Sequence, residues 1–219
     1  MEDGVWVYNA VSNQREPPIS PSEEVIYNGE VENALFDFWS DTSYQKFLDD
    51  THSFDEQYVP DDMVPIASSA TFNTASNFQL RAEVAPQFAE MASAFAITFA
   101  DKAKLSITSA YRSPTYQKRL AENCSVARCA KVGTSEHEAG LAVDLGVNGG
   151  NILGNGGKYY QRMQEHAHQY GFHNTYQKGV EIDGKMVEPW HWRYLGVELA
   201  TYLYESQQTI AEYFYLLYE

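Results

Sequence analysis

Apolar positions recur at intervals of three and four in several stretches of the chain. In "RAEVAPQFAEMASAFAITFADK", Val84, Phe88, Met91, Phe95 and Phe99, with Leu80 just before them, fall on one face. That spacing predicts a helix with its apolar face in the core. Pro86 suits its first turn, where a missing backbone donor costs nothing. Similar spacing in "VENALFDFWSDTSYQKFLDD" predicts a helix near the N-terminus. At the other end, "GVELATYLYESQQTIAEYFYLLY" places Leu199, Tyr202, Leu203, Ile210, Tyr213 and Leu217 on one amphipathic face. Its tyrosines read as core and edge rather than as a binding site. "KYYQRMQEHAHQYGF" predicts a further helix stopped by Gly171, and a short one is expected from about Pro114 to Ala121.

Two segments read as strands instead. "KLSITSAYRS" sets Leu105, Ile107 and Ser109 against Ser106 and Thr108, as a half-buried strand does. "GLAVDLG" reads as a short strand bracketed by glycine, followed by the loop "VNGGNILGNGG". "VEIDGKMVEPWHWRYLG" suggests a hairpin turning at Asp183-Gly184. Strands separated by helices predict an α+β fold with a small, mostly antiparallel sheet flanked by helices. Residues 1–57, rich in acids and turn formers, are expected to form an extension with one helix, packed on the main domain. Residues 197–219 are expected to form a C-terminal amphipathic helix.

Composition supports one domain with an appendage: of 219 residues, 44% are hydrophobic and 21% charged. Thirty acidic against 15 basic side chains give a net charge of −15, which opposes sequence-independent binding to nucleic acid or to an anionic membrane surface. A local cationic pocket is compatible with that average. No apolar run is long enough to span a membrane, and the start, "MEDGVWVYNA", lacks the basic flank and apolar stretch of a secretory signal. Cys124 and Cys129 either close a small loop, worth at most about 2 kcal/mol, or stand as two free thiols.

Of six histidines, His52, His166, His168 and His173 lie in polar or amphipathic contexts and need no function. His137 and His191 differ. Each lies beside a strand-like segment with an acid nearby: Asp144 after the first, Glu188 before the second. Two imidazoles and a carboxylate suffice to hold a divalent ion with one position open for chemistry. Glu188, separated from His191 by Pro189 and Trp190, then stands where a general base is needed. The competing reading is a buried His-Asp hydrogen bond beside an unrelated "EPWH" turn.

The residues also form an ordered pattern. "SEHEAGLAVD" matches S-x-H-x-x-G-x-A-x-D and "EPWH" matches E-x-W-H, with "SAYRSPTYQ" upstream and "YGF" between them. In this the chain resembles the VanY-like zinc D-alanyl-D-alanine carboxypeptidases, a group that includes related L,D-carboxypeptidases, over about residues 58–196. The resemblance implies a hedgehog/D-Ala-D-Ala peptidase-like fold and one Zn2+ held by His137, Asp144 and His191. It makes Glu188 the catalytic base and gives Arg112 the substrate carboxylate or the transition state. Gln117 and Ser135 become substrate contacts, and a Cys124–Cys129 disulfide would shape the pocket rim. The implied reaction removes the terminal D-alanine from peptidoglycan stem peptides. L,D-cleavage of tetrapeptide stems and a non-catalytic, zinc-containing wall-binding domain are the alternatives. A monomer acting in the bacterial cell envelope is expected, with any signal or anchor outside this sequence.

Overall fold

The strand-like segments "LSITS" and "AVDLGV" become neighbouring strands of a six-stranded sheet in a computed structural model of the chain. The structure describes residues 36–55, 58–66, 69, 77–149 and 153–218, together with six short strands outside those spans. Strands are numbered along the chain as β1 (Val7–Asn9), β2 (Gln14–Glu16), β3 (Ile26–Tyr27), β4 (Glu30–Val31), β5 (Met63–Pro65) and β6 (Phe72–Thr74). Then come β7 (Gln79–Arg81), β8 (Leu105–Ser109), β9 (Ala142–Val147), β10 (Asn151–Ile152), β11 (Phe172–His173) and β12 (His191–Tyr194). The helices are α1 (Val84–Thr98), α2 (Pro114–Ala121), α3 (Lys158–His166), α4 (Val180–Asp183), α5 (Val197–Ser206) and α6 (Ile210–Tyr218).

The chain divides into units Met1–Phe36 and Asp37–Glu219. In the first, β1 pairs with β2 and β3 with β4, both antiparallel. Residues 37–57, grouped by composition with the extension, lie in the second unit together with the main sheet. That sheet runs β11-β12-β9-β8-β6, with β10 also paired to β9. Its pairs are antiparallel except β6 with β8. The fold is thus the expected α+β arrangement. Among the described residues, no helix is long and apolar enough to cross a membrane.

Period-two alternation gives the sheet two chemically different faces. Val143, Leu145, Trp192 and Tyr194 join one core cluster with Val84, Phe88, Met91 and Phe95 of α1. Their neighbours Asp144, His191 and Arg193 therefore point the other way. A one-residue slip of β12 would drive His191 into the apolar side, so the core itself fixes the register of the polar face.

Three local expectations change. The helix expected within residues 31–50 is absent from residues 36–50, which form turns and bends. Asp37 Oδ1 accepts from the Trp39 and Ser40 amides, and Ser43 Oγ accepts from the Gln45 amide. Short polar side chains here capture the backbone donors that a helix would need. The apolar spacing still serves burial, since Phe38 and Phe47 pack against Phe214 of α6. The C-terminal helix is two helices, broken at Gln207 in a left-handed conformation. Thr209 then restarts the helix through a reciprocal box with Glu212. The hairpin expected at Asp183-Gly184 is the short helix α4, closed by Gly184 at φ 71°. Asp183 accepts from the Lys178 and Gly179 amides and so caps that turn, while β12 pairs with β9 and β11 instead.

Asp49 ties the 37–55 segment together and to α6, accepting from the Thr51 and His52 amides and from the Tyr215 hydroxyl. Burial alone would raise its pKa, but hydrogen bonds from Tyr215, Thr51 and His52 outweigh burial and hold it at about 2. The folded value lies below the unfolded one, so this stabilisation is complete above the unfolded value and lost as pH falls through the folded one. Asp49→Asn should destabilise the protein by about 1–2 kcal/mol at neutral pH. In urea unfolding the deficit relative to the parent should shrink as pH is lowered toward about 2.

Candidate metal centre

Asp144 and His191 are direct partners across the β9–β12 pair. On the other side of β9, Ser109 also falls opposite Asp144, after a bulge between Ile107 and Ser109. The bulge frees Thr108, whose hydroxyl donates to the Asp144 carbonyl at 3.0 Å. His137 comes from the turn before β9. Gly140 lets this turn close at φ +69°; a Cβ there would lie 2.6 Å from Met63 Sδ. The "EPWH" turn is clamped by Asn174, whose amide donates to the carbonyls of both Glu188 and His191, at 2.8 and 2.6 Å.

The outer ring nitrogens decide which inner ones are free. His137 Nδ1 lies 2.7 Å from the Ala110 carbonyl, which can only accept, so Nδ1 carries the proton and Nε2 keeps its lone pair. His191 Nε2 lies 2.7 Å from Glu136 Oε2, which leaves Nδ1 facing Asp144. His137 Nε2 and His191 Nδ1 stand 3.3 and 3.1 Å from the same oxygen, Asp144 Oδ1. Two ligand atoms at ordinary zinc bond lengths from one tetrahedral ion are about 3.3 Å apart. Two imidazoles and a carboxylate, each oriented from behind, thus fit a divalent ion with one position open.

Electrostatics agree with that fit. Burial pushes the Asp144 carboxyl up, yet His137 and His191 together carry it well below the usual range. Burial, helped by Arg112, holds His137 down to about 4, so its ring is neutral and able to ligate. At His191 burial is outweighed by hydrogen bonds to Asp144 and Glu136, which raise its pKa. A cation seated at these donors takes the place of that proton, so metal uptake weakens as pH falls.

A cavity of about 240 Å³ opens on the donors, lined also by Arg112, Ser135, Tyr176 and Glu188. Glu188 makes no side-chain hydrogen bond among the described residues, and burial raises its pKa. A carboxylate in such surroundings is a competent proton acceptor at neutral pH. Arg112 donates from Nη2 to Asp144 Oδ2 at 2.9 Å and from Nε to Ser109 Oγ at 3.1 Å. Ser135 is buried, its hydroxyl accepting from the His137 amide at 3.3 Å. Gln117 lies outside the cavity lining: fully buried on α2, it donates to the Ala130 carbonyl at 2.7 Å. Cys124 and Cys129 are joined as a disulfide at the cavity edge. His173 is buried rather than solvated, with its pKa lowered to about 4 by burial.

Sequence reasoning missed Glu136. It is 1% exposed, bonded to His191, to Arg193 Nη1 at 2.8 Å and to Thr175 Oγ1 at 2.8 Å. Arg193, fully buried, donates onward to the Tyr44 and Lys46 carbonyls. An arginine among aromatic and apolar residues two positions after one ligand was the available signal, since it calls for a buried acid as partner; Glu136, beside the other ligand, stands among polar residues. Such charges are buried only in pairs. Tyr176, whose ring centroid lies 4.8 Å from that of His191, carried no comparable signal.

Residues 77–197 match the VanY family, described as D-alanyl-D-alanine carboxypeptidase. A D-alanyl-D-alanine carboxypeptidase of Enterococcus faecalis is 36% identical over 104 residues, an overlap that covers 47% of this chain and 38% of that protein. A crystal structure of a mutant of the vancomycin resistance D,D-pentapeptidase VanY, in complex with Zn(II), is similar with TM-score 0.62 and 25% identity. It covers 79% of this chain and 99% of that one. The LdcB LD-carboxypeptidase shares the fold, with TM-score 0.66 and 24% identity over 86% of this chain and 91% of that one. The chain spans less than half the length of the curated relatives it matches.

Glu136→Gln keeps the side chain's shape but removes the charge behind His191. Divalent-metal affinity, measured by competition with a chromogenic chelator, should fall about 10–100-fold while the circular dichroism stays unchanged. Unaltered affinity would show that Glu136 serves only to neutralise Arg193.

Proposed function

The chain belongs to the VanY family of D-alanyl-D-alanine carboxypeptidases, and we propose that it is a zinc-dependent D,D-carboxypeptidase that removes the terminal D-alanine from peptidoglycan stem peptides. The observation that carries this reading is the convergence of His137 Nε2, Asp144 Oδ1 and His191 Nδ1 beside Glu188 in one cavity. When bound, zinc supplies Lewis acidity that polarises the scissile carbonyl and acidifies water.

The chain's own residues do the rest. Glu188, desolvated and without a hydrogen-bonding partner among the described residues, takes a proton from the attacking water onto its carboxylate and returns it to the leaving amine of D-alanine. Arg112, held against Asp144 and Ser109, directs a fixed positive charge at the reacting carbonyl as negative charge develops on its oxygen. Ser135 and Tyr176 line the space next to the donors, where the substrate must lie. The substrate class places the site outside the cytoplasm, and the Cys124–Cys129 disulfide fits an oxidising compartment.

Incubation with a defined pentapeptide stem should release D-alanine, stop with chelator and resume with added zinc. Preferential cleavage of the tetrapeptide would replace the D,D reading with an L,D one, and zinc content without turnover of either would leave a binding domain. Glu188→Ala should retain its metal and lose about 10²–10⁴-fold in kcat. The base works only when deprotonated and burial raises its pKa, so kcat/KM should fall on the acid side through a pKa above the ordinary glutamate value of 4.5. An acid limb that instead tracks loss of bound zinc over the same pH range would contradict this assignment.

A further inference from the structure

Arg112 is already engaged. Its Nη2 and Nε are given to Asp144 and Ser109, which leaves three of the five N–H donors of its guanidinium for the substrate. The whole chain carries a net charge of −15, and its average field repels an anionic ligand. Cations grouped at the cavity locally offset that field for a peptide ending in a free carboxylate. Two are present in its wall, Arg128 and Lys185. Lys185 is paired with Asp50 at 3.2 Å. Arg128 is exposed and has no ion pair among the described residues, and its charge reaches Glu188 across the cavity.

Arg128 also sits on a built support. The Arg128 and Cys129 amides both donate to the Ser125 carbonyl, at 2.9 and 2.8 Å, inside the loop closed by the Cys124–Cys129 disulfide. The Ala127 carbonyl accepts from the Met186 amide at 2.7 Å, which docks the loop on the segment leading to Glu188. Where the loop ends, the Ala130 carbonyl accepts from Gln117. Cross-link, backbone bond and buried amide hold the loop and its exit at three points.

We propose that this cross-linked loop presents Arg128 as the residue that grips the C-terminal carboxylate of the peptide substrate, leaving Arg112 to the reacting carbonyl. The proposal rests on the carboxypeptidase reading above. It gives Gln117 a positioning role, acting through Ala130 rather than on the ligand. A planar guanidinium takes a carboxylate through two parallel hydrogen bonds, which a lysine does not reproduce.

The test uses the zinc-loaded protein and two N-acylated peptides ending in D-alanyl-D-alanine, one with a free C-terminal carboxylate and one with a C-terminal amide. Arg128→Ala should raise KM for the acid about tenfold or more, and should change the kinetics of the amide far less. Arg128→Lys should recover only part of the loss. The double variant Cys124→Ser, Cys129→Ser should raise KM for the acid in the same direction, with its fold checked by circular dichroism. An unchanged KM for the acid in Arg128→Ala, or equal losses on acid and amide, overturns the proposal; an unchanged KM in the double cysteine variant overturns the part assigned to the cross-link. If the parent protein releases no D-alanine, the carboxypeptidase reading fails separately. The inference is then decided by calorimetric binding of the same acid peptide: weaker binding to Arg128→Ala supports it, and equal binding overturns it.

Discussion

Asp144 on β9 and His191 on β12 face each other across an antiparallel pair, and the site is built outward from that contact. The apolar neighbours Val143, Leu145, Trp192 and Tyr194 lock the register from the core side, so the position of the two polar groups is fixed by hydrophobic packing they do not share. His137 joins them because the turn before β9 closes tightly at Gly140, and Glu188 because Asn174 clamps the turn before β12. Sheet register thus becomes the geometry of the donors.

Behind that contact lies a row of buried charge. Glu136 bridges His191 and Arg193, and Arg193 reaches the carbonyls of Tyr44 and Lys46. Burial of one such charge alone costs several kcal/mol, a cost that pairing Glu136 with Arg193 and hydrogen-bonding both to neighbouring groups offsets. Arg193 holds the Glu136 carboxyl in its anionic range despite burial. The 37–55 segment is therefore part of the site's support, since its backbone supplies acceptors for Arg193. It lies in the same unit as the sheet.

Much of this was legible in the sequence, and for physical reasons. α1 follows from helical spacing with proline in its first turn, β8 from period-two alternation, and β9 from a short apolar run bracketed by glycine. The donors Asp144 and His191 were visible because polar groups stand out in strand-like segments, and His137 because it stands just before one of them. What stayed hidden was decided by contacts distant in sequence. The 36–50 segment keeps helical apolar spacing, yet Asp37 and Ser43 divert its backbone while Phe47 packs against Phe214 of α6. Asp183-Gly184 carries a hairpin signal, but the strand that would pair there is taken by β9. Glu136 looked like a loop acid because its partners Arg193 and Thr175 lie 57 and 39 residues further on.

The central claim is that three inner atoms, His137 Nε2, Asp144 Oδ1 and His191 Nδ1, share one ion while the outer ring nitrogens are held by Ala110 and Glu136. Crystals grown with zinc and measured on both sides of the zinc absorption edge test it directly. The account predicts one anomalous peak within about 2.0–2.2 Å of those three atoms and of no other protein atom. A peak bonded through the opposite ring nitrogens, or crystals with zinc bound elsewhere and none between these residues, would contradict it.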